Sequence, residues 1–256
     1  MALDLFNNFY KGKRVLVTGH TGFKGSWLSI WLHELGAKVV GVALDPYSDK
    51  DNFVLSDIGK KIKADIRADI RDGEKMKQIF TEYQPEIVFH LAAQPLVRLS
   101  YEIPVETYEA NVMGTIHLME AIRATESVKV GVMITTDKCY ENKEQIWGYR
   151  ENEPMGGYDP YSSSKGAAEI AISSWRRSFF NPADYGKGEL KDVSDPNALH
   201  EAKLLMLDIN KAHFKLGWEP RMNIDQCMAM VAEWYKRYQG EDVYNLCVEQ
   251  INKYVG

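Results

Sequence analysis

The apolar run Val15-Leu16-Val17 ends at Thr18 in Gly19-His20-Thr21-Gly22-Phe23-Lys24-Gly25, and a helical pattern follows at once over 23–35. A buried strand, a glycine turn and a helix in that order constrain the fold strongly. Glycine lets the backbone reverse and lets a pyrophosphate approach it, while the helix N-terminus offers free N–H groups and the positive end of its dipole. The GxxGxxG spacing predicts a dinucleotide-binding unit, with Gly19, Thr21, Gly22, Phe23, Lys24 and Gly25 around the cofactor. The competing reading is an ordinary strand-to-helix turn.

The pattern then repeats. Strands are predicted over 13–18, 38–43, near 62–66, 86–91 and 128–134, and helices over 23–35, 73–83, 107–125 and 161–180. Such alternation implies an α/β fold, a doubly wound parallel sheet of Rossmann type with helices on both faces. After residue 185 the chain turns polar, and Asp195-Pro196-Asn197 is turn chemistry. Helices are expected over 209–216 and 224–238, stopped by Gly217 and Gly240, with any disordered tail confined to the residues beyond Lys253. The expected organisation is a nucleotide domain over 1–185 that carries the catalytic residues, a junction over 186–199 and a reduced helical lobe over 200–256.

The 256 residues suffice for one large α/β domain, or for a nucleotide domain with a modest second lobe. With a net charge of −5 and no Lys/Arg block, the chain lacks the electrostatic footprint of a nucleic-acid binder. Cys139, Cys227 and Cys247 show no metal-ligand spacing, so no metal is expected, and an odd, sparse set suits a reducing compartment. The first residues do not read as a secretory signal and no window is long and apolar enough to span a membrane, so the expectation is a cytoplasmic protein with no membrane partner.

Asp45, at the end of the second strand, stands where a carboxylate hydrogen-bonds an adenosine ribose. Its charge would repel a 2′-phosphate, which favours NAD; the competing reading is a turn aspartate before Pro46. Asp69-Ile70 either flanks the adenine or caps the helix that starts at 73. Leu91, Ala92, Ala93 and Gln94, after the fourth strand, would line the cofactor, since small residues let a dinucleotide lie against the strand ends. His90 reads as a packed structural histidine. Asn111, inside an apolar helix, is expected to bind backbone carbonyls and shape the site. Tyr161 and Lys165 lie four residues apart on one helix face, where an ammonium can lower a phenol's pKa and make it usable as a base.

Longer motifs narrow this further. TGHTGFKG (18–25), FHLAAQPLVR (89–98), NVMGT (111–115), TTDKCY (135–140), GYRENEPMGGYDPYSSSK (148–165) and FFNPADYG (179–186) closely resemble the CDP-glucose 4,6-dehydratases. These are extended short-chain dehydrogenase/reductases that act on nucleotide sugars. The likeness runs from about Phe9 to Gly186 and resumes from His200. Asp137-Lys138 separates this branch from the dTDP-glucose dehydratases, which typically have Asp-Glu there. Family members continue beyond the equivalent of Gly186 into a further strand, a sugar-nucleotide loop and much of the C-terminal lobe, about a hundred residues or a small domain's worth. Here the short run 187–197 stands in their place.

The resemblance implies an NAD-dependent lyase of O-antigen biosynthesis that converts CDP-glucose to the 4-keto-6-deoxy sugar, and a homodimer or higher homo-oligomer. It implies that Tyr161 takes the C4 hydroxyl proton, that Lys165 holds the cofactor ribose, and that Thr136 hydrogen-bonds the reacting oxygen. Lys138 is the implied base at C5 and Asp137 the acid for the departing C6 hydroxyl; a lysine base needs a depressed pKa, which a closed site beside Lys165 would favour. Two alternatives stand beside this reading. In one, the chain binds NAD without turnover, because the missing segment supplies most sugar-nucleotide contacts in relatives. In the other it is a nucleotide-sugar epimerase, against which the Asp137-Lys138 pair argues. A missing strand also leaves a sheet edge, expected to be covered by the helix over 224–238 or by dimerisation.

Overall fold

The computed structural model describes residues 5–180 and 207–256. The junction expected over 186–199, with its turn at 195–197, lies outside the described residues. Two compact units are present. The first takes 1–92, 124–134 and 220–256, and the second takes 93–123 and 135–219. Residues 1–185 are therefore shared between both units, and much of the C-terminal lobe belongs to the first.

The first unit is built on five parallel strands, β1 (Arg14–Thr18), β2 (Lys38–Ala43), β3 (Ala64–Arg67), β4 (Ile87–His90) and β5 (Val130–Met133), in the order β3-β2-β1-β4-β5. Every neighbouring pair is parallel, as the predicted alternation requires. Reversal of strand order on either side of β1 makes the sheet doubly wound, and puts the carboxyl ends of β1 and β4 at the switch point where such sheets bind ligands. Val15, Val17 and Val39 are fully buried, and α1 (Phe23–Glu34) packs Ile30 and Leu32 into the same core. Short α2 (Asn52–Leu55) and α3 (Gly73–Tyr83) complete the part before β4.

The C-terminal helices depart from expectation. Besides α8 (Asn210–Leu216) and α9 (Ile224–Arg237) there is a third, α10 (Val243–Val255), which sequence reading left as a segment after Gly240. It is the best buried of the three: Val243, Tyr244, Cys247 and Ile251 enter the core of β1, β2 and α1. Its signals were an Asp242 N-cap and apolar residues at i, i+3, i+4 and i+8. The Tyr244 hydroxyl donates to Glu34 at 2.5 Å, tying it to α1. The helix expected to shield the sheet edge, α9, packs against α10, and Val130 at the start of edge strand β5 is 43% exposed.

In the second unit, the helix expected over 107–125 is a composite. α4 (Val97–Glu102) and α5 (Pro104–Tyr108) lead into a π-helical turn, Glu109–Met113, and then α6 (Gly114–Arg123). A π-turn widens the helix by one residue, a distortion frequent at functional sites. The long α7 (Pro160–Ser178) packs on α4, α5 and α6. Trp175, near its end, donates its indole N–H to Glu120 at 2.7 Å and meets Phe179 edge-on, so these aromatics pack together.

Candidate active site

The dinucleotide loop is a backbone cradle. Gly19 N–H donates to Val42 at 2.8 Å, Gly22 N–H to Gly19 at 3.0 Å, and Ser26 N–H to Gly22 at 2.9 Å. The helix start thus folds back on the end of β1. A Cβ at Gly25 would lie 2.0 Å from the Gly19 carbonyl oxygen and 2.8 Å from His20 Cα, so this crossing exists only with glycine. Thr21 is buried, and its hydroxyl donates to the Leu44 carbonyl at 3.1 Å, fastening the loop to the end of β2. Gly22, Phe23 and Lys24 stay exposed. An open cradle at a helix N-terminus suits a pyrophosphate, and these residues fit a dinucleotide.

Around it, Thr18 Oγ accepts from the N–H groups of Leu91 and Ala92, each at 3.2 Å, and pairs with His90 Nδ1 at 2.7 Å. His90 is therefore a buried structural group. Asp45 is exposed and pairs with Arg67 Nε at 3.0 Å. Asp69 is not the cap of α3; Asp72 is, accepting from Lys75 N–H at 2.9 Å. Burial would raise the Asp69 carboxyl, but hydrogen bonds from the Arg71 guanidinium and backbone prevail and hold it below the usual range. Ile70 is buried.

The residues expected to be catalytic lie together in the second unit. Asp159 caps α7 by accepting from Ser162 N–H at 2.9 Å, and Pro160 occupies the first turn. Tyr161 therefore falls in the first turn and Lys165 in the second, on one face, both buried. The Tyr161 N–H donates to Ser100 Oγ at 3.1 Å. Asn111, only 1% exposed in the π-turn, accepts from Gln94 N–H at 2.8 Å and donates to the Gln94 carbonyl at 3.1 Å and to Ser164 Oγ at 2.9 Å. Ser164 in turn donates to the Tyr161 carbonyl at 2.7 Å. This relay holds the Gln94 segment against the helix that carries Tyr161, a backbone-binding role for Asn111 as the sequence led one to expect.

The 3-10 turn Asp137–Cys139 packs against α7 so closely that a Cβ at Gly166 would lie 3.0 Å from the Cys139 carbonyl. Thr136 donates its hydroxyl to Asp137 Oδ1 at 2.9 Å and accepts from Lys138 N–H at 3.3 Å, which couples three of the expected catalytic residues to one turn. Asp137 is half-buried and Lys138 is exposed, not enclosed. Burial pushes the Lys165 ammonium down to about 8, against the opposing pull of Glu169 and then Cys139. Glu169 stands one turn beyond Lys165 on the same face and accepts a hydrogen bond from Thr135. The i+4 spacing could have singled it out from sequence; Ser100 and Ser164 carried no such signal. Burial and then Glu169 push the Cys139 thiol up to about 12, so it is no nucleophile at neutral pH. Among the described residues, no group of three or more His, Cys, Asp or Glu is arranged to hold a metal ion, and no helix is long and apolar enough to cross a membrane.

The family described as GDP-mannose 4,6 dehydratase matches residues 16–187, a stretch that holds the cradle, the turn at 137–139 and α7. The chain belongs to this dehydratase family. Within it, the chain is 60% identical over 351 aligned positions to the CDP-glucose 4,6-dehydratase of Salmonella typhimurium, covering 97% of this chain and 98% of that protein. Those aligned positions outnumber the 256 residues here, so at least 95 positions of that dehydratase have no counterpart. The UDP-glucose 4-epimerase of Mycolicibacterium smegmatis is 33% identical over 64% of this chain, which spans 51% of that epimerase. Among solved structures, UDP-glucose 4-epimerase from Thermus thermophilus in complex with NAD superposes with a TM-score of 0.56 at 30% identity, over 65% of this chain and 52% of that one. The chain thus spans about half the length of these epimerase relatives.

Proposed function

We propose that the protein is an NAD-dependent lyase that converts CDP-glucose to CDP-4-keto-6-deoxyglucose. The observation that carries this is 60% identity to a CDP-glucose 4,6-dehydratase across 97% of the chain. The cradle of Gly19 to Gly25, with Leu91 and Ala92 beside it, would hold NAD, and Asp45 would meet the adenosine ribose. Bound there, NAD would supply a reversible hydride acceptor, so no external oxidant would be needed.

The chain's own side chains move the protons. The Tyr161 phenol oxygen takes the proton of the C4 hydroxyl, with Thr136 bonded to the same oxygen. The resulting ketone makes the C5 proton acidic. Lys138 Nζ removes it, Asp137 protonates the C6 hydroxyl, which leaves as water, and Lys138 Nζ returns the proton to C5 once C6 has been reduced. Lys165 Nζ stays charged at neutral pH and holds the ribose. An epimerase would have no use for the elimination pair at 137 and 138.

Lys165 sets an alkaline limit. Its ammonium is lost as pH rises through about 8, and turnover is expected to fall there. Glu169 holds the ammonium up, so Glu169→Gln should move the alkaline limb to lower pH. A pH–rate profile checks this, and an unmoved limb contradicts the role of Glu169.

The gap of at least 95 positions favours one second reading, a chain that binds NAD but holds no sugar nucleotide. Incubating purified protein with NAD and CDP-glucose separates the two. A 4-keto-6-deoxy product is expected; NAD binding with no product would leave only the second reading. We also infer a cytoplasmic homodimer that pairs through α5, α6 and α7, where Val105 and Ile170 lie exposed. A sedimentation mass of one chain in the same preparation would refute the pairing.

A further inference from the structure

Asp65 and Arg67 sit two residues apart on β3, and so on one face of the sheet. Both Asp65 oxygens accept from the Arg67 guanidinium, at 2.6 Å and 3.1 Å. Asp65 Oδ1 also lies 2.7 Å from Nε2 of His20, a fully buried residue inside the glycine loop. On its other side, Arg67 Nε lies 3.0 Å from Asp45 Oδ1. Phe53 backs the guanidinium at 5.1 Å. Hydrogen bonds therefore link the dinucleotide loop through His20 and Asp65 to Arg67, and an ion pair continues from Arg67 to Asp45. Asp45 itself is 87% exposed, so Arg67 is what gives this carboxylate a fixed direction.

We propose that Arg67 is a specificity-determining residue for the dinucleotide: it orients Asp45 toward the ribose, while Asp45 masks a guanidinium that would otherwise bind a 2′-phosphate. The inference rests on the reading of the cradle as an NAD site. A carboxylate at the end of the second strand selects a free 2′-hydroxyl, and an arginine close by accommodates a 2′-phosphate. Here both groups are present and neutralise one another. The planar fork of arginine matches phosphate oxygens, and Asp65 would keep that fork in place after Asp45 is removed. Selectivity then lies in the pair, and neither residue sets it alone.

The test is titration of the protein with NAD+ and with NADP+, followed by calorimetry, for four forms: unsubstituted, Asp45→Ser, Arg67→Gln and the double variant. The unsubstituted protein should favour NAD+. Asp45→Ser should weaken NAD+ and strengthen NADP+ by about tenfold or more, the effect of one new charge-assisted hydrogen bond to the 2′-phosphate. Arg67→Gln alone should weaken NAD+ by a smaller factor, and the double variant should lose the NADP+ gain. Circular dichroism on each form separates these effects from unfolding. An Asp45→Ser variant that binds NAD+ without gaining NADP+ would overturn the proposal alone, as would a gain that survives Arg67→Gln. An unsubstituted protein that binds neither dinucleotide would overturn the NAD reading as well.

Discussion

Tyr161→Phe is expected to lower turnover of CDP-glucose by about 10²- to 10⁴-fold, the usual worth of a positioned acid–base group. Its affinity for NAD should change by no more than about threefold, because the lost atom acts on the reacting hydroxyl and not on uniform binding. The substitution removes only the phenolic oxygen. The backbone bond from residue 161 to Ser100, the bond from Ser164 to the 161 carbonyl, and the Asp159 cap all remain. A fold defect is therefore not expected, and a thermal melt should be near that of the parent. Single-turnover measurement at saturating CDP-glucose, with fluorescence titration of NAD, reads both quantities. Turnover within a few-fold of the parent would remove Tyr161 from the proton path and redirect attention to the turn at 136–138.

Gly25→Ala should be as damaging to cofactor binding as Tyr161→Phe is to turnover. The new methyl would stand 2.0 Å from the Gly19 oxygen, 2.7 Å from the Gly19 carbonyl carbon and 2.8 Å from His20 Cα. All three are backbone atoms of the loop, so no side chain can swing aside and the cradle itself must open. Loss of dinucleotide affinity by about 100-fold or more is expected, together with about 1–3 kcal/mol of lost stability from overpacking. Gly22→Ala is the control: its Cβ would meet the Gly19 oxygen at 3.3 Å, a clash that a small shift relieves. Equal NAD affinities for the two variants would show that the crossing of Gly25 over Gly19 has no part in holding the dinucleotide.

Much of the fold was readable because its signals are local. The apolar runs of β1, β2 and β4 and the helical periodicity of α1 and α3 lie within one residue of their predicted limits. Where local signals were mixed, the reading failed. The region around Asn111 looks like one amphipathic helix, yet it contains a π-turn, from which Asn111 bonds both backbone groups of Gln94. α10 was missed because Gly240 suggests a stop and the segment is short. What stabilises it is burial of Val243 and Cys247 against distant strands and α1, which periodicity alone does not reveal.

At the site, the order of residues was enough to specify the glycine cradle and the pairing of Tyr161 with Lys165, since steric need and helix pitch act over a few residues. The resemblance carried the roles of Thr136, Asp137 and Lys138. Which polar partners the surrounding groups keep was settled by packing in three dimensions. Asn111 meets Gln94 across 17 residues and Ser164 across 53, and Asp45 meets Arg67 from a neighbouring strand. The reason is physical: a buried or fixed polar group must find a partner in space, and sequence spacing specifies such partners only within a turn or two of helix.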